Sequence, residues 1–358
     1  MTDYLAEAID LAQRAAGNTF PNPLVGAIVE RDGVVLGRGF HRVAGNLHAE
    51  AEALSGSDHE GATLYVTLEP CTHVGKQPPC VDRIIASGVH RVVVGALDPN
   101  PLVAGRGIAQ LAAAGIDVEL RNDTRALRLI EDFRIWITTG RPYVALKMAS
   151  SLDGLVASAP ETRERLTGSH WKSIVERLRL RHQAVMIGAG TALVDDPKLS
   201  TSDLRRQVPF VRIVAAARRS LPPTLNLFRE EPGYARTIVL VPENGAPWAR
   251  ALVDAADVVE VPANSDGTLD LANALRILRE ERGIFSILCE GGPTLAAQLI
   301  AAGVVDRFYW AIAPLLLASP QAIPALCGDL AMLRIRARFD EIELVGDDAA
   351  LSGTFLPA

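Results

Sequence analysis

Short apolar strands and amphipathic helices alternate along the chain. Between residues 63 and 120, three strand-like apolar runs are separated by two segments with helical spacing. This alternation predicts a three-layer α/β domain. The pattern stops at residues 139–142, Thr-Gly-Arg-Pro, and then restarts. A chain of 358 residues has the length of about two domains. We therefore predict one domain over 1–142 and a second over 143–358.

The second part of the chain continues the alternation. It ends with two runs, 340–345 and 351–356, that suit antiparallel edge strands. Apolar spacing also predicts a single helix over 124–138 and a helix over 247–255.

The charge balance is acidic in both parts. Residues 1–142 carry 13 basic and 17 acidic side chains, and residues 143–358 carry 23 and 25. We therefore expect no nucleic-acid partner. No apolar run approaches the ~18 residues that span a bilayer, so we expect no membrane partner. Four cysteines form no disulfide framework, which makes a reducing, cytoplasmic location our expectation.

Residues 48–80 contain the side chains of a catalytic zinc site. His48 offers a ring nitrogen, and Cys71 and Cys80 offer two thiolates. A catalytic zinc ion has three protein ligands and a fourth position for water. Glu50 follows His48 by two residues, so its carboxylate can meet that water and move its proton. His-x-Glu followed by Pro-Cys and a second Cys is the pattern of zinc nucleobase deaminases.

The spacing of the two cysteines departs from that pattern. Eight residues separate Cys71 from Cys80, where two are usual. The insert contains His73 and Lys76, which could meet an anionic substrate tail. The alternative is a structural zinc site closed by His73 as fourth ligand. We favour the catalytic interpretation, because only chemistry requires Glu50 at its position.

The second part has neither Gly-x-Gly-x-x-Gly nor a Walker loop. Residues 286–295 instead give a strand, a Gly-Gly turn and a proline at a helix start. Glycines admit a close ligand, and the free N–H groups of a helix start favour phosphate. An ordinary loop between a strand and a helix has the same composition, so the residues alone leave both interpretations open.

Taken together, these motifs resemble the bifunctional deaminase/reductase of bacterial riboflavin biosynthesis. The first-domain segments that carry the resemblance are 21–26 (PNPLVG), 48–50 (HAE), 69–80 (EPCTHVGKQPPC) and 98–107 (DPNPLVAGRG). The second-domain segments are 147–154 (KMASSLDG), 190–199 (GTALVDDPKL) and 290–295 (EGGPTL). The resemblance implies a cytidine-deaminase-like three-layer α/β domain followed by a dihydrofolate-reductase-like α/β domain.

The resemblance also implies two reactions. The first domain would deaminate 2,5-diamino-6-ribosylamino-4(3H)-pyrimidinone 5′-phosphate, with one Zn²⁺ held by His48, Cys71 and Cys80 and with Glu50 as proton donor. The second domain would use NADPH to reduce the ribosyl chain to ribityl. Such enzymes commonly self-associate, so we also expect a homo-oligomer.

The remaining site residues follow from motif positions. Those implied at the first substrate site are Asn22, His41, His73, Lys76, Asp98 and Asn100. Those implied at the NADPH are Ser150, Thr191, Asp195, Gly292, Pro293, Thr294 and Leu295, within a stretch that continues to Gln298. Those implied at the second substrate site are Lys147, Arg179, Leu199 and Glu290. Residues 98–101 could alternatively form an ordinary turn.

The second domain departs from the family at three positions. Arg163 and Arg165 replace the usual serine and tryptophan, and Ala217 replaces a serine at a strand end. The arginines could hold a phosphate or face solvent. A deaminase with a weakly active or degenerate reductase domain therefore remains an alternative. A tRNA-editing deaminase is a second alternative, disfavoured by the acidic charge.

Overall fold

The computed structural model describes residues 2–56, 58–73, 77–101, 103–201, 206, 208–244, 246–328, 330 and 334–356. The chain divides into two compact units, Met1–Gly140 and Arg141–Ala358. No helix in the described ranges combines the length and hydropathy that crossing a membrane requires.

The first unit is built on a five-stranded sheet. Its strands are β1 (Gly26–Arg31), β2 (Val34–Phe40), β3 (Thr63–Val66), β4 (Arg91–Val94) and β5 (Asp117–Leu120). They lie in the order β2-β1-β3-β4-β5. β1 is antiparallel to both of its neighbours, whereas β3, β4 and β5 run parallel. The carboxyl ends of β3 and β4 therefore share one edge of the sheet.

Helices cover both faces of this sheet. They are α1 (Tyr4–Gln13), α2 (Ala49–Ala53), α3 (Cys80–Ala86), α4 (Arg106–Ala113), α5 (Thr124–Leu129) and α6 (Glu131–Thr139). α1 and α5 pack on one face of the sheet, and α2, α3 and α4 pack on the other. The three-layer α/β prediction agrees with this arrangement.

Two glycines of β2 bring α2 against the sheet. A Cβ at Gly37 would lie 1.9 Å from the carbonyl oxygen of Ala53, and one at Gly39 would lie 2.2 Å from that of Ala49. Real Cβ atoms do not approach an oxygen so closely, so both positions require glycine. The close contact fixes the short helix that contains Glu50.

The second unit contains a nine-stranded sheet. Its parallel strands are β6 (Tyr143–Ser151), β8 (Ala184–Gly188), β9 (Val211–Ala215), β10 (Ile238–Pro242), β11 (Asp257–Val261), β12 (Ser286–Gly291) and β13 (Arg307–Ala313), with β7 (Leu155–Ala157) and β14 (Ile323–Pro324) as a separate pair. The sheet ends with the antiparallel strands β15 (Arg336–Val345) and β16 (Asp348–Leu356). The order is β11-β10-β9-β8-β12-β6-β13-β16-β15.

Helices line this larger sheet on both faces. They are α7 (Ser169–Arg181), α8 (Ala189–Asp195), α9 (Leu271–Arg282) and α10 (Pro293–Ala301), with short 3₁₀ segments at Asn226–Phe228 and Pro247–Leu252. α9 and α10 bury their apolar sides in one core cluster, and α8 and the 3₁₀ segments bury theirs in the other. Parallel strands point their carboxyl ends to one edge, where an open α/β sheet binds ligands.

Two predicted helices differ from the structure. The helix over 124–138 is interrupted at Ile130, which has φ −106° and ψ 14°. Ile130 is buried in the core beside α1, and this packing overrides the helical spacing. The helix over 247–255 is a 3₁₀ segment that ends at Leu252.

Candidate active sites

Three ligand-type side chains converge in the first unit. His48 caps the start of α2, Cys71 follows β3, and Cys80 begins α3. His48 Nδ1 lies 3.3 Å from Cys80 Sγ and 3.7 Å from Cys71 Sγ. All three potential ligand atoms lie within 4.8 Å of one another. One nitrogen and two sulfurs at this separation form a donor set that fits a zinc ion.

The two thiols differ in acidity. A hydrogen bond from Cys80, together with the His48 ring, lowers the pKa of Cys71 to about 4. The same contact with Cys71, together with burial, raises the pKa of Cys80. One thiolate therefore forms readily, whereas ionising both requires a cation between them. This requirement supports the metal-site prediction.

Glu50 lies in α2 and is 4% exposed. Burial raises the pKa of its carboxyl group, and the nearby His48 partly opposes this effect. A carboxyl group with a raised pKa beside a metal site is suited to accepting and returning a proton. The structure thus brings Glu50 beside the three potential ligands.

Asn22 and His41 extend the wall of this site. The His41 ring lies 5.5 Å from the His48 ring, edge to face. Its Nε2 lies 3.1 Å from Asn22 Nδ2, and its Nδ1 lies 3.0 Å from the carbonyl oxygen of Leu47. Burial lowers the pKa of His41, which favours the neutral ring. Both predicted substrate residues therefore belong to the same cluster as the metal donors.

A buried carboxylate joins the cysteine loop to the segment after β4. Glu69 accepts hydrogen bonds from the backbone N–H groups of Asp98 (3.2 Å), Gly105 (3.0 Å) and Gly107 (2.9 Å). A Cβ at Gly107 would lie 2.3 Å from the carbonyl oxygen of Pro70. These contacts hold the Pro70–Cys71 loop against residues 98–108. The sequence analysis missed Glu69, although its position before Pro-Cys was a usable signal.

The segment held by Glu69 carries two predicted substrate residues. The Asp98 carboxylate accepts a hydrogen bond from the backbone N–H of Asn100 (2.8 Å). Burial raises the pKa of Asp98, and the charges of His73 and Cys71 also act on it. Asp98 and His73 therefore lie near Cys71. Lys76 lies outside the described residues.

A large cavity lies at the carboxyl edge of the second sheet. Its volume is about 1170 Å³. This exceeds the 300–1,000 Å³ of an ordinary ligand pocket, so it can hold a dinucleotide and a substrate together. Seven cationic side chains and four carboxylates line it. The cations are Lys147, Arg163, Arg165, Lys172, Arg179, Arg218 and Arg219. An excess of positive charge suits phosphate-bearing ligands.

The glycine turn between β12 and α10 forms part of the cavity wall. Gly291 and Gly292 have φ values of 101° and 82°, which other residues adopt only with strain. A Cβ at Gly292 would lie 2.8 Å from Thr191 Oγ1. Pro293 then starts α10, so the turn presents open backbone at a helix start. The cavity wall includes most of the predicted NADPH residues: Thr191, Asp195, Gly292, Pro293, Thr294, Leu295 and Gln298.

An ion pair defines another part of the wall. Arg179 donates to both carboxylate oxygens of Glu290, with 2.7 Å between Nη2 and Oε2. Lys147 lies near this pair, and burial lowers its pKa. Lys147, Arg179 and Glu290 are three of the four residues predicted at the second substrate site, and all three line the cavity. Leu199, the fourth, is buried in the core beneath α8 and is 4% exposed.

The remaining predicted residues divide between the cavity and the core. Ser150 is 3% exposed, and its hydroxyl accepts a hydrogen bond from Trp310 Nε1 (3.0 Å). Arg163 and Arg165 both line the cavity, and Arg163 Nε lies 4.0 Å from Asp195 Oδ1. The two arginines that replace the serine and tryptophan usual in the family therefore add positive charge to the wall of the cavity.

The sequence analysis missed Trp171. This side chain is 2% exposed and lines the cavity. Its indole N–H is buried and has no hydrogen-bond partner in the described part of the chain. An unpaired buried donor at a cavity wall is suited to a ligand acceptor. No motif in the sequence singles out this residue.

The folds and sites define a two-part enzyme, a zinc-type deaminase joined to a nucleotide-dependent reductase. Residues 1–96 match the cytidine and deoxycytidylate deaminase zinc-binding region, and residues 142–351 match the RibD C-terminal domain. The chain belongs to the RibD family of riboflavin biosynthesis, whose members use zinc for deamination and NADPH for reduction.

Full-length relatives support this assignment. The riboflavin biosynthesis protein RibD of Aquifex aeolicus is 36% identical over 98% of this chain and 97% of that protein. The Acinetobacter baumannii RibD structure has a TM-score of 0.80 at 32% identity, covering 99% of this chain and 98% of its own. A diaminohydroxyphosphoribosylaminopyrimidine deaminase/5-amino-6-(5-phosphoribosylamino)uracil reductase from Thermotoga maritima also has a TM-score of 0.80, at 31% identity and the same coverage.

The comparisons confirm the predicted family, fold class, bifunctional activity and cofactors. The first unit has the cytidine-deaminase-like fold, and the second has the dihydrofolate-reductase-like fold. The alternative of a degenerate reductase domain gains no support, because both parts of the chain match.

Proposed function

We propose that residues 1–142 deaminate the diaminopyrimidine ribose phosphate named by the resemblance, and that residues 143–358 reduce its ribosyl chain. The observation that carries the proposal is the meeting of His48, Cys71 and Cys80 beside buried Glu50.

In the first reaction, His48, Cys71 and Cys80 would hold the zinc. When bound there, the ion would supply the Lewis acidity that makes water nucleophilic at neutral pH. Glu50 accepts a proton from the attacking water and donates it to the pyrimidine ring nitrogen. It then takes the proton of the new hydroxyl group and donates it to the amino group, which leaves as ammonia as the carbonyl forms. Its burial supports this role, because desolvation raises the pKa of the carboxyl group and so makes its carboxylate a better proton acceptor.

Other side chains of the first unit orient the substrate. Asn22 and neutral His41 offer hydrogen bonds to the pyrimidine, and His73 and Lys76 meet the phosphate. Asp98 and Asn100 lie in the segment that Glu69 anchors, where they would bind the ribose. This division assigns Asn22, His41, Asp98 and Asn100 to the ring and the sugar, and His73 and Lys76 to the phosphate.

In the second reaction, NADPH binds along Thr191, Asp195 and residues 292–298, with Ser150 below it. Lys147, Arg179 and Glu290 position the substrate, whereas Leu199 packs in the core beneath α8. The cavity volume of about 1170 Å³ supports simultaneous binding of the two molecules. The Arg179–Glu290 pair is held rigid by two hydrogen bonds, so it offers the sugar a fixed surface.

The test is an assay of the purified full chain with the diaminopyrimidine substrate. Without NADPH, we expect ammonia release and accumulation of the deaminated product. With NADPH, we expect oxidation of the coenzyme to follow. Absence of ammonia release from zinc-loaded protein would reject the deaminase proposal. If NADPH is not oxidised in the presence of the deaminated product, the reductase proposal is rejected.

We further propose that the chain forms a homo-oligomer in the cytoplasm. β15 lies at the end of the second sheet and exposes Phe339, Ile342 and Leu344, the last at 81%. An exposed apolar edge strand is suited to pairing with a second copy. All four cysteines are free, which fits a reducing compartment. Light scattering of wild type and Leu344→Asp tests the oligomer, and a dimer resistant to this change would reject β15 as its interface.

A further inference from the structure

A smaller cavity lies at the amino edge of the second sheet. Its volume is about 500 Å³, within the 300–1,000 Å³ of ordinary ligand pockets. Arg212, near the start of β9, lines it together with residues 228–232 and 234–237. The large cavity includes Ala215 and Ala217, at and just beyond the other end of the same strand. No described residue lines both cavities, so the smaller one is a separate place for a ligand.

Arg212 is a buried cation with unused hydrogen-bond donors. The residue is 1% exposed. Its Nη2 donates to the carbonyl oxygen of Arg229 (2.9 Å), whereas Nε and Nη1 are buried and have no hydrogen-bond partner in the described part of the chain. Burial lowers the pKa of Arg212, because the charged form has lost its solvation. Fully buried arginines are normally paired, and Arg212 lacks that partner.

The other charges of the lining leave an excess of one positive charge. Three arginines and two glutamates line the cavity. Glu231 acts on Arg212 through its charge, but within the described ranges it does not bond to the guanidinium group. Arg236 is paired with Asp257 (3.2 Å) and is therefore engaged elsewhere. A single excess charge suits a monoanion better than a doubly charged phosphate.

The walls beside Arg212 are partly aromatic. Its guanidinium carbon lies 5.0 Å from the centre of the Tyr234 ring, and Phe228 lines the same cavity. Arg229 and Glu230 are exposed, so the cavity opens to solvent and Arg212 lies at its inner end. A buried cation behind apolar walls matches an organic anion that enters with its charged group first.

We propose that this cavity binds an organic carboxylate with an apolar body, through the free N–H groups of Arg212. A carboxylate is a monoanion with two acceptor oxygens, so it supplies both the charge and the hydrogen bonds that Arg212 lacks. The apolar body of the ligand then packs against the aromatic walls.

Tyr234 connects this cavity with the substrate site of the reductase. Its Oη accepts a hydrogen bond from the backbone N–H of Thr201 (2.7 Å), and the carbonyl oxygen of Ser200 accepts one from Arg179 Nη1 (2.8 Å). Arg179 is in turn paired with Glu290. A ligand against the Tyr234 ring therefore acts on the proposed substrate contacts through contiguous bonds. This link, unlike the binding itself, rests on the proposed reductase function.

The experiment measures benzoate binding to the full chain by calorimetry, with saturating NADPH so that the coenzyme occupies its own site. Benzamide, the neutral counterpart, and phenyl phosphate are the comparison probes. The variants are Arg212→Met and Glu231→Gln. Arg250→Met and Glu281→Gln, both exposed and outside the cavity, are the matched controls. Ammonia release and NADPH binding report that each variant is folded.

We expect wild type to bind benzoate at least about tenfold more tightly than benzamide or phenyl phosphate. Arg212→Met should lose this preference, because the cation is gone. Glu231→Gln should bind benzoate about two- to fivefold more tightly, because a negative charge near the cation is removed. Absence of benzoate binding at millimolar concentration overturns the site, as does an unaltered preference in Arg212→Met. Weaker benzoate binding by folded Glu231→Gln overturns it as well.

Tyr234→Phe tests the link to Arg179. The variant keeps the ring and loses only Oη, so benzoate should bind within about twofold of wild type. Saturating benzoate should change KM for the deaminated substrate at least about threefold in wild type, and it should leave KM unchanged in Tyr234→Phe. A KM that does not respond to benzoate in wild type overturns the link. Absence of NADPH oxidation without benzoate rejects the reductase proposal instead, whereas calorimetry still decides the binding site.

Discussion

The two sites are assembled in different ways. The donors of the metal site lie within residues 48–80, are close to one another and surround a buried glutamate. The cavity of the second unit combines residues from 147 to 323, most of them at the ends of four strands. A compact site depends on the identity of a few atoms, whereas an extended site divides binding among many contacts. Single substitutions should therefore affect the first site more severely.

Removal of a metal donor should give the largest effect. Cys80→Ser should abolish zinc retention and ammonia release, because two protein ligands hold the ion poorly. NADPH-dependent reduction of the deaminated substrate should persist. Metal analysis and the two separate assays measure these outcomes. Cys327→Ser, a cysteine outside the cluster, is the control. Full zinc content in Cys80→Ser would show that the ligand assignment is wrong.

Glu50→Gln should separate proton transfer from metal binding. Zinc content and fold should be retained, and deamination should fall about 10²–10⁴-fold, since an amide cannot carry the proton. Initial rates of ammonia release measure the effect. Glu52→Gln, on the same short helix but bonded to Arg42, is the matched control. A near-native rate in Glu50→Gln would remove Glu50 from the mechanism.

Glu290→Gln should test the extended site. The amide keeps one acceptor for Arg179 and loses the charge, so we expect kcat/KM for the deaminated substrate to fall about 10- to 100-fold. NADPH affinity should stay within about twofold. Steady-state kinetics and titration separate the two quantities, with the exposed Glu281→Gln as control. If only the NADPH affinity changes, Glu290 contacts the coenzyme and not the substrate.

Gly292→Val should produce the smallest of these effects. The new Cβ lies 2.8 Å from Thr191 Oγ1 and the residue must keep φ 82°, so the turn should shift. We expect the NADPH dissociation constant to rise about tenfold. Gly190→Ala is the control, because its Cβ meets no atom within 4 Å. Unchanged NADPH binding by a folded variant would exclude this turn from the coenzyme site.

The sequence predicted the compact site better than the extended one. His48 immediately precedes the short helix that contains Glu50, and Cys71 and Cys80 follow on either side of one loop, so the spacing of these residues in the sequence was enough to predict the site. Glu69 was missed because its partners are backbone N–H groups 29 to 39 residues away. Such partners leave no side-chain pattern, so only the position of Glu69 directly before Pro70 and Cys71 marked it.

The extended site depends on strand order. Arg218 and Arg219 line the cavity with Glu290 because β9 and β12 both flank β8, and residue periodicity does not state which strands are neighbours. The fold class was predictable because alternation needs only local patterns. The break at Ile130 was not, because its cause is burial against α1.

The hydrogen bonds of Glu69 couple two parts of the first unit thermodynamically. The amides of Gly105 and Gly107 can exchange with solvent only when the carboxylate releases them. Glu69 lies two residues before Cys71, so a ligand that stabilises the cysteine loop also makes this release less frequent. Zinc loading should therefore slow hydrogen exchange at Gly105 and Gly107, although neither residue contains a metal donor. Zinc binding at the cysteine loop is thus detectable as increased protection of the Gly105 and Gly107 amides from hydrogen exchange.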